Sequence, residues 1–130
     1  MRFSVLLGSV LMSFMLGCAS GLSGQSAATP EAAVSARAQE RWDALLAGDV
    51  DKAYTYISPA GRIGMTLAIY RGRVNPQYWR KIKVKEAVCK PEVCEVVLDL
   101  DFSVDGMALK TLVNETWIFD SGKWWFVYKG

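Results

Sequence analysis

The chain has 130 residues, 52% of them hydrophobic and 22% charged, with 15 Lys and Arg against 13 Asp and Glu for a net charge of +2. That length holds one domain with one modest core, and a near-neutral balance argues against a nucleic-acid binder, which must neutralise many phosphates. His is absent, which removes the commonest general base and the commonest zinc ligand together; no catalytic motif is found, no cofactor is expected, and acid/base chemistry would fall to carboxylates, Tyr or Lys.

Met1-Arg2 and an apolar run from Phe3 to Leu16 lead through Met15-Leu16-Gly17-Cys18 into a small and polar stretch. The run of about 14 residues is short of the roughly 20 that a membrane-spanning helix needs and suits the core of a cleavable signal. The segment resembles a bacterial lipoprotein lipobox, with Gly17 before the cysteine and Met15 where that family prefers Leu. The resemblance implies a signal peptide over residues 1–17, acylation of Cys18 and attachment to a membrane through that lipid, each buried CH₂ contributing about 0.8 kcal/mol. An ordinary signal cut after Cys18-Ala19-Ser20 is the alternative. Ala19 is not the Asp that retains lipoproteins at an inner membrane, so the resemblance favours the periplasmic face of an outer membrane. Residues 18–29, rich in Ser, Gly and Ala, read as a flexible spacer. Setting Cys18 aside leaves Cys89 and Cys94 as an even pair for an oxidising compartment.

Thr29-Pro30-Glu31 opens a first helix with a capping side chain, a Pro at the first helical position and an early acid. Val34, Ala38, Trp42, Leu45 and Leu46 recur at helical spacing, with Arg37, Glu40, Arg41 and Asp43 between them. Gly48 closes this helix, and Asp49 is placed to cap a second, whose apolar face is Val50, Ala53, Tyr54 and Ile57. Ser58-Pro59 repeats the cap-plus-proline signal and predicts a third helix to about Arg71, weakened by Gly61 and Gly64 at roughly 1 kcal/mol each. Asn75-Pro76 ends the helical part.

From Tyr78 the apolar period becomes alternating. Ile82, Val84, Glu86 and Val88 are predicted to face one way and Lys81, Lys83 and Lys85 the other. After Lys90-Pro91-Glu92, Cys94, Val96, Leu98 and Leu100 point inward and Glu95, Val97, Asp99 and Asp101 outward. Asp105-Gly106 marks a turn, a third strand follows from about Ala108 to Phe119, and Asp120-Ser121-Gly122 turns into a fourth over Lys123 to Lys129. Two registers between the first two strands place lysines opposite Asp99 and Asp101, either Lys81 and Lys83 or Lys83 and Lys85. In neither regular register do Cys89 and Cys94 share a face, so a disulfide between them implies a bulge near Glu86-Ala87 or in the turn. A metal site there would have too few ligands.

Helices followed by a curved four-stranded antiparallel meander make an α+β plan. The stretch Arg41 to Asp49, then Ala53-Tyr54 and Ile57-Ser58-Pro59, with Glu115-Thr116-Trp117-Ile118 and Gly122 to Val127, resembles the nuclear transport factor 2-like superfamily. This is the cystatin-like cone that also includes ketosteroid isomerases and polyketide cyclases. The resemblance covers about Pro30 to Gly130 and implies a cone-shaped domain over 30–130, with helices closing a conical pocket. It carries over no acid/base pair and does not choose a function.

Asp99 and Asp101 offer a carboxylate pair, but alternation sets them beside lysines on the wet face. Arg71, Arg73, Arg80, Lys81, Lys83 and Lys85 form a basic group that reads as a solvated face rather than an anion site. Trp124 and Trp125 are adjacent in a strand and must face opposite sides. Tyr54, Tyr70, Trp79, Trp124 and Trp125 are thus the candidate pocket or partner surface, with Tyr56 and Arg62 beside them. The functional expectation is a lipid-anchored envelope binding or accessory module, non-enzymatic, meeting an envelope protein or a small apolar ligand and no nucleic acid. A small acid/base or hydrolytic enzyme with a Tyr/carboxylate pocket, and a module that self-associates as a homodimer through its sheet, are the alternatives.

Overall fold

The computed structural model describes residues 28–130. The predicted signal segment, Cys18 and the spacer up to residue 27 lie outside the described residues. Four helices, α1 (Pro30–Leu46), α2 (Val50–Tyr54), α3 (Pro59–Gly64) and α4 (Leu67–Arg73), and a short 3-10 turn at Pro76–Tyr78 precede four strands, β1 (Trp79–Lys90), β2 (Val93–Val104), β3 (Met107–Asp120) and β4 (Lys123–Val127). The strands form one antiparallel sheet in sequence order. None of the described helices is long and apolar enough to cross a membrane.

The expected caps are in place. Thr29 accepts from the Ala32 N–H at the start of α1, Asp49 from Lys52 at α2, and Ser58 from Gly61 at α3, each satisfying a helix-end donor that would otherwise be orphaned. The single third helix predicted to Arg71 is instead two, α3 and α4. Thr66 accepts from the Ile69 N–H and starts a new helix, while the intervening Met65 buries its side chain. A Gly-containing turn with a fresh cap behind it outweighs the apolar continuity that suggested one helix.

Asp105 and Gly106 both have positive φ and join Val104 to Met107 in a two-residue turn, the conformation that matches strand twist. Ser121 and Gly122 repeat it between β3 and β4. Lys81 lies opposite Asp101 and Lys83 opposite Asp99, the first of the two registers. A shift between Val84 and Glu86 then changes the face of the rest of β1. Ala87 and Cys89 turn toward the core instead of Glu86 and Val88, both of which are exposed. That bulge sets Cys89 directly opposite Cys94, and the two are joined by a disulfide. Without the inserted residue, period-2 alternation would hold the two sulfurs on opposite faces.

Helix α1 lies on one face of the sheet, burying Val34, Ala38, Trp42 and Leu45 against Val96, Leu98 and Trp117. It is fixed to β1 by one side chain. The Gln39 amide donates to the Ile82 carbonyl at 3.1 Å and accepts from the Val84 N–H at 3.1 Å, so it serves the backbone as a neighbouring strand would, just before the bulge. At the other edge, the segment after α2 bonds to β4: Phe126 N–H donates to the Tyr56 carbonyl and Ser58 N–H to the Phe126 carbonyl. Both edges of the sheet therefore have part of their backbone bonding met from the helical layer.

Candidate functional site

The helix period and the strand period converge on one buried charged pair. On α1, Val34, Ala38, Arg41 and Leu45 follow one another at steps of four, three and four, and all are buried; Arg41 therefore occupies the core-facing stripe and not the wet face. On β3, Val113, Glu115 and Trp117 share the side that faces α1, with Glu115 paired to Val96 and Trp117 to Cys94. Arg41 Nη1 donates to Glu115 Oε1 at 2.6 Å, with the two side chains 5% and 3% exposed. Trp42 Nε1 donates to the same oxygen at 2.6 Å, and Trp117 Nε1 donates to Oε2 at 3.0 Å.

The guanidinium is held on its other sides as well. Nη2 donates to Tyr70 Oη at 3.1 Å, and Cζ stands 3.8 Å from the centre of the Phe126 ring, a cation held over an aromatic face. Burial pushes the Tyr70 hydroxyl above its ordinary range; the Arg41 charge and hydrogen bond pull the other way, and Glu115 and Tyr128 add smaller upward pushes. Tyr70 therefore stands as a neutral phenol beside the pair. Arg41 Nε has no partner.

Beside this network a pocket of about 240 Å³ opens, with Arg41, Arg73, Trp79, Glu115, Phe126 and Tyr128 in its wall. Trp79 meets Trp42 edge-on at 4.9 Å, and Tyr128 meets Tyr70 at 5.9 Å and Phe126 at 6.2 Å. A larger cleft of about 720 Å³ lies at the opposite end of α1, between its first turns and the β1–β2 and β3–β4 turns, with Pro30, Arg37, Cys89, Phe119 and Trp124 on its sides.

The five aromatic residues singled out in the sequence do not form one site. Tyr70 and Trp79 meet the Arg41 network or its pocket, and Tyr54 packs against Tyr70 at 5.7 Å while donating to the Met65 carbonyl. Trp124 is buried beside the larger cleft. Trp125 is half-buried on the opposite side of β4, donates to the Asp120 carbonyl, and is approached by Arg37, Arg62 and Lys123. Asp99 is exposed and Asp101 half-buried on the face away from α1, where Lys110 comes within 3.8 Å of Asp101. Arg71 of the basic group pairs with Asp51, which holds that carboxyl below its ordinary range chiefly through the hydrogen bond.

Arg41 and Glu115 were not among the sequence-derived candidates. The signal was present in each: a charged residue on the core phase of its own element. Among the described residues no group of three or more Cys, Asp or Glu could hold a metal ion.

No family model matches the chain, and no curated protein matches it. Solved structures do. The solution structure of RPA3114, a SEC-C motif containing protein from Rhodopseudomonas palustris, is similar with a TM-score of 0.58 and 16% identity, over 70% of this chain and 72% of that one. The crystal structure of a Campylobacter jejuni protein described as an NTF2-like transpeptidase is similar with a TM-score of 0.50 and 15% identity, over 72% of this chain and 96% of that one. At such identities the likeness concerns the fold alone. The α+β architecture, helices followed by a four-stranded antiparallel sheet, is thus similar to that of a structural neighbour described as NTF2-like.

Proposed function

We propose that this chain is a lipid-anchored module of the cell envelope that binds an envelope protein or a small ligand without transforming it. Cys18 holds it at the periplasmic face of a membrane, and Ala19 favours the outer one. The observation that carries the binding reading is the engagement of both oxygens of the buried carboxylate by donors of the protein. Glu115 accepts from Arg41, Trp42 and Trp117, so three of its roughly four acceptor sites are taken up in orienting the guanidinium and the two indoles, and these bonds favour its ionised form over proton exchange with a substrate. What the pocket offers a visitor is a fixed cation and aromatic walls, the elements of recognition.

One observation favours the enzymatic alternative: Tyr70 and Glu115 are both buried and both touch Arg41, the residue types that a Tyr/carboxylate pocket calls for. The guanidinium stands between them, and this separates the phenol from the carboxylate. Self-association through the sheet remains a reading of the fold type and is checked by sedimentation of the chain across a concentration series.

The test of the main reading has two parts. Cys18→Ser is expected to abolish labelling by radioactive palmitate and release the protein to the soluble fraction; unchanged membrane association refutes the anchor. Crosslinking in the native envelope is expected to yield a defined partner or a retained small molecule. Turnover of an envelope substrate that disappears on Glu115→Gln, with the fold intact, refutes the non-enzymatic half.

A further inference from the structure

One edge of the sheet stays open along much of β3. β4 pairs only with Thr116 to Asp120, while β2 pairs with β3 from Met107 to Ile118. After Val127 the chain leaves the sheet: Tyr128 packs edge-on against Tyr70 at 5.9 Å, and Gly130 lies beside the Arg73 guanidinium. Which groups stand at the open edge follows from the hairpin. The residues that flank a two-residue turn exchange both backbone bonds, and such pairs recur at every second residue. Val104 and Met107 flank the Asp105-Gly106 turn, so Met107, Leu109, Thr111 and Val113 bond to β2. Ala108, Lys110, Leu112 and Asn114 therefore aim their N–H and C=O groups away from it, and all four are exposed. Among the described residues no backbone bond outside the strand pairings reaches them, and the one side-chain bond is a long one, 3.4 Å from the Thr111 hydroxyl to the Leu112 carbonyl. The other edge positions differ: Gln39 serves β1, and Tyr56 and Ser58 serve β4.

A row of paired donors and acceptors at every second residue is complementary to an extended backbone. We propose that this edge takes up an extended, acidic segment of another envelope protein as an added strand, antiparallel to β3 and in line with β4. About seven residues, close to 24 Å of strand, cover Ala108 to Asn114. The side-chain chemistry follows from the period of two. At alternate positions the incoming side chains face Leu109, Thr111 and Val113 on the α1 side, which calls for apolar residues; Val113 borders the 240 Å³ pocket together with Trp79 and Tyr128. On the other face they meet Lys110, whose side chain is 84% exposed and which Asp101 approaches only to 3.8 Å, and this calls for an acid. Arg73 and Lys129, beside Asn114 in the pocket wall, enter no ion pair among the described residues and add to the preference for negative charge. A second copy fits this edge worse. Two-fold pairing centred on Lys110 opposes two lysines, and centred on Thr111 it puts Gly106 of one copy where Val127 of the other already pairs with Thr116. Centred nearer the turn, it leaves Leu112 and Asn114 unpaired. The inference rests on the reading of the chain as a binding module and names the conformation and charge of what it binds.

The test is a titration of the full chain, labelled with nitrogen-15 and held in a detergent micelle, followed through its backbone amide signals. The probe is the blocked peptide Thr-Val-Thr-Val-Glu-Val-Thr, written to run antiparallel from Asn114 to Ala108 with its Glu opposite Lys110; a second peptide carries Lys in place of that Glu. The Glu peptide is expected to shift the N–H signals of Lys110, Leu112 and Asn114 and to slow their exchange, while those of Leu109, Thr111 and Val113, already bonded to β2, move less. The Lys peptide is expected to bind at least about tenfold more weakly, or about 1.4 kcal/mol. Leu112→Pro removes an outward N–H at a position where an edge strand accepts proline, and should abolish the shifts while the far-ultraviolet dichroism is kept. Lys110→Glu, at an exposed position, should reverse the preference between the two peptides. Edge amides unmoved at millimolar Glu peptide overturn the proposal, as do shifts spread equally over both sets of amides, a folded Leu112→Pro that still binds, or an unreversed preference in Lys110→Glu. Slowing of the same amides with protein concentration, without peptide, overturns it as well by assigning the edge to a second copy. None of these outcomes depends on palmitate labelling or on crosslinking in the envelope, so failure here is distinguishable from failure of the envelope reading.

Discussion

The strongest test of the buried network is a double-mutant cycle on Arg41 and Glu115. Glu115→Leu leaves the Arg41 charge buried without its partner and takes the acceptor from two indole N–H groups at once. Breaking a buried ion pair from one side costs about 3–5 kcal/mol, and the orphaned indoles place this variant at the upper end. Arg41→Met is milder, about 3 kcal/mol on the same scale, because Trp42 and Trp117 still donate to Glu115. The double variant Arg41→Met/Glu115→Leu has no buried charge left, and the groups it leaves unmet are the two indole donors and the Tyr70 hydroxyl, at about 1–3 kcal/mol each. Its cost should therefore fall below the sum of the singles, because no unpaired charge is left buried, by a coupling of about 0.5–3 kcal/mol, the range for residues in contact. Since a domain of this size has only about 5–15 kcal/mol of stability in all, each single variant should shift the urea midpoint far toward zero. The assay is urea unfolding followed by tryptophan fluorescence and far-ultraviolet dichroism. A double variant whose loss equals the sum of the two singles would refute the reasoning, because it would mean that the pair is hydrated and its members act independently.

Three further outcomes follow from the same geometry. Gln39→Leu orphans the Ile82 carbonyl and the Val84 N–H and is expected to cost about 2 kcal/mol, with faster amide exchange at Val84; unchanged exchange there would show that water replaces the amide without loss. Replacing Cys89 and Cys94 together by Ala opens a loop with a sequence separation of only 5 and should cost no more than about 2 kcal/mol, leaving the chain folded at room temperature, and complete unfolding would contradict that. Burial raises both Tyr56 and Tyr70, Tyr56 with added help from the hydrogen bond it donates to Glu40. The folded state therefore keeps these protons longer than the unfolded state does, and the stability they contribute is full below about pH 10 and lost as pH rises through the folded values. Urea midpoints taken across that range should fall for the native chain and fall less for Tyr70→Phe; parallel curves would rule Tyr70 out as a cause.

Much of the fold was legible because its signals are local. Thr29-Pro30, Asp49 and Ser58-Pro59 each supply the oxygen or fixed φ that a helix start needs, and the turns at Asp105-Gly106 and Ser121-Gly122 require positive φ that these residues tolerate. Two constraints, apolar residues inward and lysines opposite acids, narrow the first hairpin to two registers, and the protein adopts the one with Lys81 and Lys83 opposite Asp101 and Asp99. The extra residue in β1 was foreseen only as a condition for the disulfide. The strand pattern leaves open the choice between a bulge near Glu86-Ala87 and one in the turn; the shift lies at Val84/Glu86, next to the backbone groups that Gln39 of α1 bonds. The split between α3 and α4 was open to inspection in Thr66, which carries the same capping chemistry as Ser58 but stands inside an apolar run.

The site was legible in a weaker sense, and the reason is physical. A single charged residue on an apolar stripe is ambiguous, because a long Arg or Glu side chain at the edge of a helix or strand can reach water from a nominally inward position. In the sequence Arg41 stands with Arg37, Glu40 and Asp43 between the apolar positions of α1, and Glu115 stands in a packing phrase with Trp117. What removes the ambiguity is that the two exceptions have opposite sign and lie on elements that the fold packs together: α1 covers the face from which Glu115, Val96 and Trp117 project. Burying either charge alone is costly, but burying both with three added donors keeps the penalty within reach. A fold-class assignment followed by a search for complementary charges on core phases of packed elements would have found the pair.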